Sequence, residues 1–221
     1  MSPLRIAIVG AESTGKSWLS MALHHTLLQR GQSVQVIPEV LRAWCDRHRR
    51  TPHAHEQMDI AKAQAHASDM AHAPCVVCDT TPLMTAVYSH LLFGDQSLYP
   101  MALAHQAGYS CTLLTGLDLP WVADGLQRDA PHLRGPVDAL VRQALERAGI
   151  AYRVVYGQGP QRLNNALLAL DLQGEDVGAR TTRENAQFAI NGGRTEWQCN
   201  ECSDPACEHK LFTGLLAKRS T

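Results

Sequence analysis

Residues Gly10-Ala11-Glu12-Ser13-Thr14-Gly15-Lys16-Ser17 fit G-x-x-x-x-G-K-[ST], the phosphate-binding P-loop pattern. The residue types suit that chemistry. Gly10 and Gly15 permit turns that a Cβ would forbid. The loop N–H groups, those of Glu12, Ser13 and Thr14 included, then turn toward a triphosphate, and the positive end of the next helix adds to them. Lys16 reaches the β- and γ-phosphates, and the Ser17 hydroxyl ligates Mg²⁺. ATP and Mg²⁺ are therefore the expected ligands of this stretch.

Three further groups complete a phosphotransferase. The apolar run 74–79 ends on Asp79, as a Walker B strand does, so Asp79 is expected on the magnesium. Its alternative is a strand-end turn residue. Glu39 follows the apolar run 33–38, where ligands bind in open α/β sheets. A carboxylate there can orient an acceptor hydroxyl or take its proton, and whether Glu39 or Asp79 is the base stays open. Glu39 also reads as a helix N-terminal carboxylate. Arg128 and Arg134 lie in the glycine-containing stretch 116–135. On a closing lid they would neutralise charge on the transferred phosphoryl group and exclude water, with Arg134 on the nucleotide. As solvated loop charges they would do neither.

These groups need a scaffold. Residues 4–9 form an apolar run of strand length before the loop, and 17–28 carry apolar residues at helical spacing after it. Further strands are expected at 33–38, 74–79, 110–115 and 151–156. Helices are expected at 40–50, 53–72, 83–93, 97–106, 136–148 and 161–172. Residues 118–134 lack periodicity and read as a loop or lid. Strands alternating with helices predict an α/β fold, a P-loop NTPase-type parallel sheet with helices on both faces. From about residue 174 polar residues and glycines dominate. The division is a kinase domain over 1–173 and a tail over 174–221.

Net charge over the 221 residues is −1, so no broad basic field points to nucleic acid. There is no signal-peptide pattern and no apolar run long enough to span a membrane, which predicts a cytoplasmic protein without membrane partners. Seven cysteines, an odd count, argue against a disulfide framework. Nothing fixes the oligomeric state.

The 10–17 loop, Asp79-Thr80-Thr81, and Asp118-Leu-Pro-Trp-Val-Ala-Asp-Gly-Leu-Gln-Arg128 resemble the ribosylnicotinamide kinase domain of the NadR family, over roughly 4–172. That AAA-like P-loop group phosphorylates nicotinamide riboside with ATP. The resemblance implies that Lys16, Ser17 and Asp79 serve MgATP and that Arg128 belongs to the lid. It makes Glu39, Arg42, Trp44, Trp121 and Asp124 candidates for the riboside. A Trp face can stack on the cationic pyridinium, although Trp44 and Trp121 read equally well as core aromatics. The family often has Asp-Thr-Asp where this chain has Asp79-Thr80-Thr81. With the first strand at Leu4, neither the adenylyltransferase nor the DNA-binding domain of full-length NadR proteins is expected.

In the tail, Cys199, Cys202, Cys207 and His209 offer three thiolates and an imidazole suited to tetrahedral Zn²⁺. An iron–sulfur cluster, a redox pair or reduced thiols remain alternatives. Two other functions compete with a kinase of this or another nucleoside or nucleotide. One is an NTP-dependent switch or metallochaperone using the tail, which lacks an Asn-Lys-x-Asp guanine motif. The other is a zinc-dependent nucleic-acid binder, which lacks aromatic interleaving.

Overall fold

The computed structural model describes residues 3–121 and 131–172. Five strands, β1 (Leu4–Val9), β2 (Val34–Ile37), β3 (Cys75–Asp79), β4 (Cys111–Thr115) and β5 (Arg153–Val155), form one sheet in the order β2-β3-β1-β4-β5. Every pairing is parallel. The helices are α1 (Lys16–Gln29), α2 (Val40–His48), α3 (Gln57–Asp69), α4 (Pro82–Phe93), α5 (Tyr99–Gln106), α6 (Arg134–Arg147) and α7 (Gly159–Ala169). The expected α/β architecture is the observed one.

The central strands are covered on both faces, which is why they read as continuous apolar runs. Ile6, Ile8, Val77 and Leu113 face α1 and α7, where Leu19, Leu23, Leu27, Ala166 and Leu167 pack on them. Val9 and Leu114 face the other way, against Leu41, Leu83, Val87, Val137 and Val141. The fully buried Leu19, Leu23 and Leu27 recur every four residues along α1. Each contributes about 1.5–3 kcal/mol of burial. Leu28, also expected on the apolar stripe, is 46% exposed.

Several boundaries differ from the sequence reading. The long helix at 53–72 is broken at its start into a 3-10 turn, Ala54–Glu56, followed by α3. There the Glu56 carboxylate accepts the His53 backbone N–H at 2.7 Å, a capping interaction that sets a new helix origin. Helix α6 begins at Arg134, ahead of Pro136, because N–H groups in a first turn have no intrahelical partner and proline loses nothing there. Arg134 is thus a helix residue and does not sit on the loop it was assigned to. Helix α7 likewise opens earlier, at Gly159 with Pro160 in its first turn.

Candidate functional site

Parallel strands bring all their C-terminal ends to one edge of the sheet. Ile8 is in register with Asp79, and Ile37 with Cys78. Loop 10–15, Asp79 and Glu39 therefore emerge side by side. Loop 10–15 and Glu39 are two inter-strand spacings apart, about 10 Å along the sheet.

The phosphate loop has the backbone its sequence requires. Gly10 has φ 145° and Gly15 has φ 78°. A Cβ on Gly10 would lie 2.2 Å from Thr115 Oγ1, so the loop is pressed against the end of β4. Ser13, with φ 53°, is left-handed without being glycine. Left-handed residues among right-handed ones turn successive N–H groups inward, the nest that receives anions. Thr14 Oγ1 donates to Ala11 O at 2.7 Å and lies 2.6 Å from Thr115 Oγ1. Thr115 Oγ1 also lies 3.2 Å from Val9 O, and its single proton is shared between that carbonyl and the Thr14 hydroxyl. Lys16 Nζ, largely buried, donates to Ala11 O at 2.8 Å and so lies folded over the loop.

Two more cations stand behind this loop. Arg162 on α7 is 1% exposed. It donates from Nη1 to Thr14 O at 2.6 Å, from Nε to Gly157 O at 2.8 Å, and from Nη2 to Asp118 Oδ1 at 2.7 Å. Burial pulls its guanidinium below the ordinary value, with Asp118 opposing and the nearby Arg134 adding to the pull. Arg134 is 8% exposed and donates from Nη1 to Leu119 O at 3.0 Å. The Leu119 side chain packs on Gly15, 3.0 Å from where a Cβ would be. Nε and Nη2 of Arg134 are buried without a hydrogen-bond partner among the described residues.

On the other side of the loop, Glu12 is 1% exposed and its Oε2 accepts the Tyr88 hydroxyl at 3.2 Å. Asp79 is 6% exposed at the end of β3. The next residue, Thr80, takes φ 78° and donates its N–H to Ile8 O at 3.1 Å, which draws the strand end toward β1. Thr81 is fully buried and donates to Gln106 Oε1 at 2.7 Å. The residue at this position thus points into the protein. Ser17 and Asp79 offer a hydroxyl and a carboxylate, the hard oxygen donors that Mg²⁺ takes, and they fit that ion.

Glu39 precedes α2 and its Oε2 pairs with Arg42 Nη2 at 3.4 Å, both side chains being mostly buried. Gln64, from α3, fixes this corner. Its Oε1 accepts the Val40 N–H at 2.7 Å and its Nε2 donates to Pro38 O at 3.2 Å. The Trp44 ring stacks on His48 at 4.0 Å, and the Arg50 guanidinium lies 4.8 Å from its centroid. Trp121, partly buried, ends the described stretch after β4.

The structure therefore gathers 10–17, Glu39, Asp79 and Arg134 at one edge. Asp124 and Arg128 lie outside the described residues, as do Cys199, Cys202, Cys207 and His209. Among the described residues there is no group of His, Cys, Asp or Glu able to hold a metal by itself. None of the described helices is long and apolar enough to cross a membrane. Sequence reasoning missed Arg162, Thr115, Gln64 and Tyr88. Only Arg162 carried a signal, as a lone basic residue within an otherwise uncharged helical stretch.

The profile of an AAA domain family, AAA_28, matches residues 5–162, and the chain belongs to that family. No curated protein matches it. Among solved structures, a NadR protein in complex with NAD and AMP-PNP superposes with a TM-score of 0.59 at 14% identity. The match covers 78% of this chain and 51% of that one, so this chain spans about half its length. Deoxyadenosine kinase from M. mycoides with bound dCTP gives a TM-score of 0.49 at 12% identity, covering 75% of this chain and 98% of that one. At these identities the likeness to the NadR structure establishes the fold, and the second is too loose to argue from.

Proposed function

We propose that this AAA-family chain is an ATP-dependent kinase of a nucleoside or nucleotide, and that its acceptor is nicotinamide riboside. The observation that carries the phosphate half is Arg134. A guanidinium more than nine-tenths buried, with two donors unsatisfied among the described residues, is costly unless an anion completes it. With Lys16 and Arg162 it gives three buried cations around one glycine loop. A triphosphate supplies the missing charge.

The chain's own residues then divide the work. The loop N–H groups hold the β- and γ-phosphates. Lys16 exchanges the Ala11 carbonyl for phosphate oxygens, and Arg134 offers Nε and Nη2 to oxygens on which charge grows during transfer. Ser17 and Asp79 would hold Mg²⁺, which neutralises phosphate charge when bound. Glu39, with Arg42 beside it, orients the acceptor hydroxyl. Catalysis is then mainly positioning and electrostatics. The riboside is favoured by the 118–128 stretch and by its resemblance to NadR-type kinases, by which Trp121 and Asp124 would line the acceptor pocket and Arg128 would belong to the lid. The Trp44 ring carries His48 and Arg50.

The test is ADP release from MgATP with a panel of nicotinamide riboside and the common nucleosides and nucleotides. Strong stimulation by nicotinamide riboside alone is expected. Stimulation by another acceptor would retain the kinase and replace the substrate, and no stimulation by any would overturn both.

A further inference from the structure

We infer that Arg162 is a positioning residue for nucleotide binding, which aims the Gly15 N–H at the phosphates by holding the Thr14 carbonyl from behind. The inference rests on the reading of 10–17 as a triphosphate site.

In a trans peptide the C=O of one residue and the N–H of the next point in opposite directions, and there are no cis peptides among the described residues. The Thr14 carbonyl is turned to Arg162 Nη1 at 2.6 Å. The Gly15 N–H must then point away from Arg162. A charged donor on one side of that peptide thus fixes a neutral donor on the other. Without it, the Thr14–Gly15 peptide loses a restraint on its rotation that Gly15, at φ 78° and with no Cβ, does not itself supply.

Arg162 is itself held from two further loops. Nη2 meets Asp118 Oδ1 at 2.7 Å, and Nε meets Gly157 O at 2.8 Å. Asp118 Oδ2 accepts the Gly157 N–H at 2.6 Å, closing the ring. Planar donors on three sides allow one orientation of the guanidinium, which lysine cannot reproduce. Asp118, on the loop after β4, and the turn 156–158 before α7 therefore take part in loop geometry without touching phosphate. Arg162 itself bonds to a backbone carbonyl of the loop and makes no contact with the reacting groups.

The test is direct binding to the full chain, by calorimetry, of MgATP and of inorganic tripolyphosphate with magnesium, for Arg162→Met, Arg162→Lys and Asp118→Asn. Losing a charge-assisted hydrogen bond to the loop is expected to weaken MgATP binding by about 10- to 100-fold in Arg162→Met. Tripolyphosphate should weaken by the same factor, since the defect lies in the phosphate loop and not around the base. Arg162→Lys should recover part of the loss and Asp118→Asn should show a smaller one. A cooperatively folded Arg162→Met with both affinities within about twofold of wild type overturns the inference. If Arg162→Met does not fold, unchanged affinities in Arg162→Lys and Asp118→Asn overturn it equally. The readout needs no acceptor, so a wrong acceptor leaves it intact. A wild-type chain that binds neither ligand fells the triphosphate reading, and this inference with it.

Discussion

The hydroxyl oxygens of Thr14 and Thr115 lie 2.6 Å apart, across 101 residues of chain. Thr115 also reaches Val9 O, so one side chain at the end of β4 pins both the entry and the far side of the phosphate loop. Gly10 is pressed on the same hydroxyl. Thr115→Val is expected to lose about 1–3 kcal/mol, because the Thr14 hydroxyl loses a buried partner. Urea unfolding measures it, and a loss below about 0.5 kcal/mol would contradict the pinning. Gly10→Ala should abolish nucleotide binding, and adding Thr115→Ala should not restore it. The second change removes the 2.2 Å clash but leaves φ at 145°.

Lys16→Met removes the ammonium that stabilises developing charge, and the rate constant should fall by about 10²- to 10³-fold with a smaller change in ATP affinity. Asp79→Asn should instead raise the magnesium concentration needed for half-maximal activity. A magnesium curve unchanged in Asp79→Asn would remove that residue from the metal.

The two tryptophans should separate in acceptor kinetics. Trp44→Leu is expected to change acceptor KM by less than about threefold, because that ring is engaged by His48 and Arg50. Trp121→Leu should raise acceptor KM by about tenfold or more, the scale of a desolvated cation–π contact with the pyridinium. The reverse order would move the stacking role to Trp44.

The Arg50 guanidinium and the His53 N–H hold the Glu56 carboxyl down from its ordinary value of 4.5 to about 2. Arg50 donates to both Glu56 oxygens at 2.6 Å. A depressed folded-state value means that the pair stabilises the protein above the unfolded value and that this is lost as pH falls from about 4.5 toward 2. Glu56→Gln should therefore lower the unfolding midpoint at pH 7 and cost progressively less below pH 4.5. A difference from wild type that stayed constant over that range would assign the effect to packing instead. The pair is exposed, so the effect should be small and salt-sensitive.

The sheet and the backbone of the glycine loop were legible because they are written locally. Apolar runs such as 75–79 mark buried parallel strands, and Gly10, Gly15 and Lys16 are demanded by backbone shape and charge within eight residues. What stayed hidden is carried by pairs far apart in the chain. Arg162 meets Thr14 over 148 residues, and Thr115 meets Val9 over 106. No periodicity reports such partners. Arg134 does lie at the same sheet edge as the loop, but its helical setting is not legible, because Pro136 reads as a boundary although a first turn admits it. Trp44 reads either as a riboside-stacking face or as a core aromatic, because a cation–π partner six residues on leaves no sequence signature.

The order of these partners along the chain bears on synthesis. The glycine loop leaves the ribosome 148 residues ahead of the side chain that holds its Thr14 carbonyl. Its central strand must also wait for β3 and β4 on either side. At about 5–20 residues per second, roughly 7 to 30 seconds separate the motif from its last support. During that interval a nascent chain carries the motif without the shape that grips a triphosphate. Nucleotide capture should therefore appear late and abruptly in translation, as an index that the whole sheet has closed.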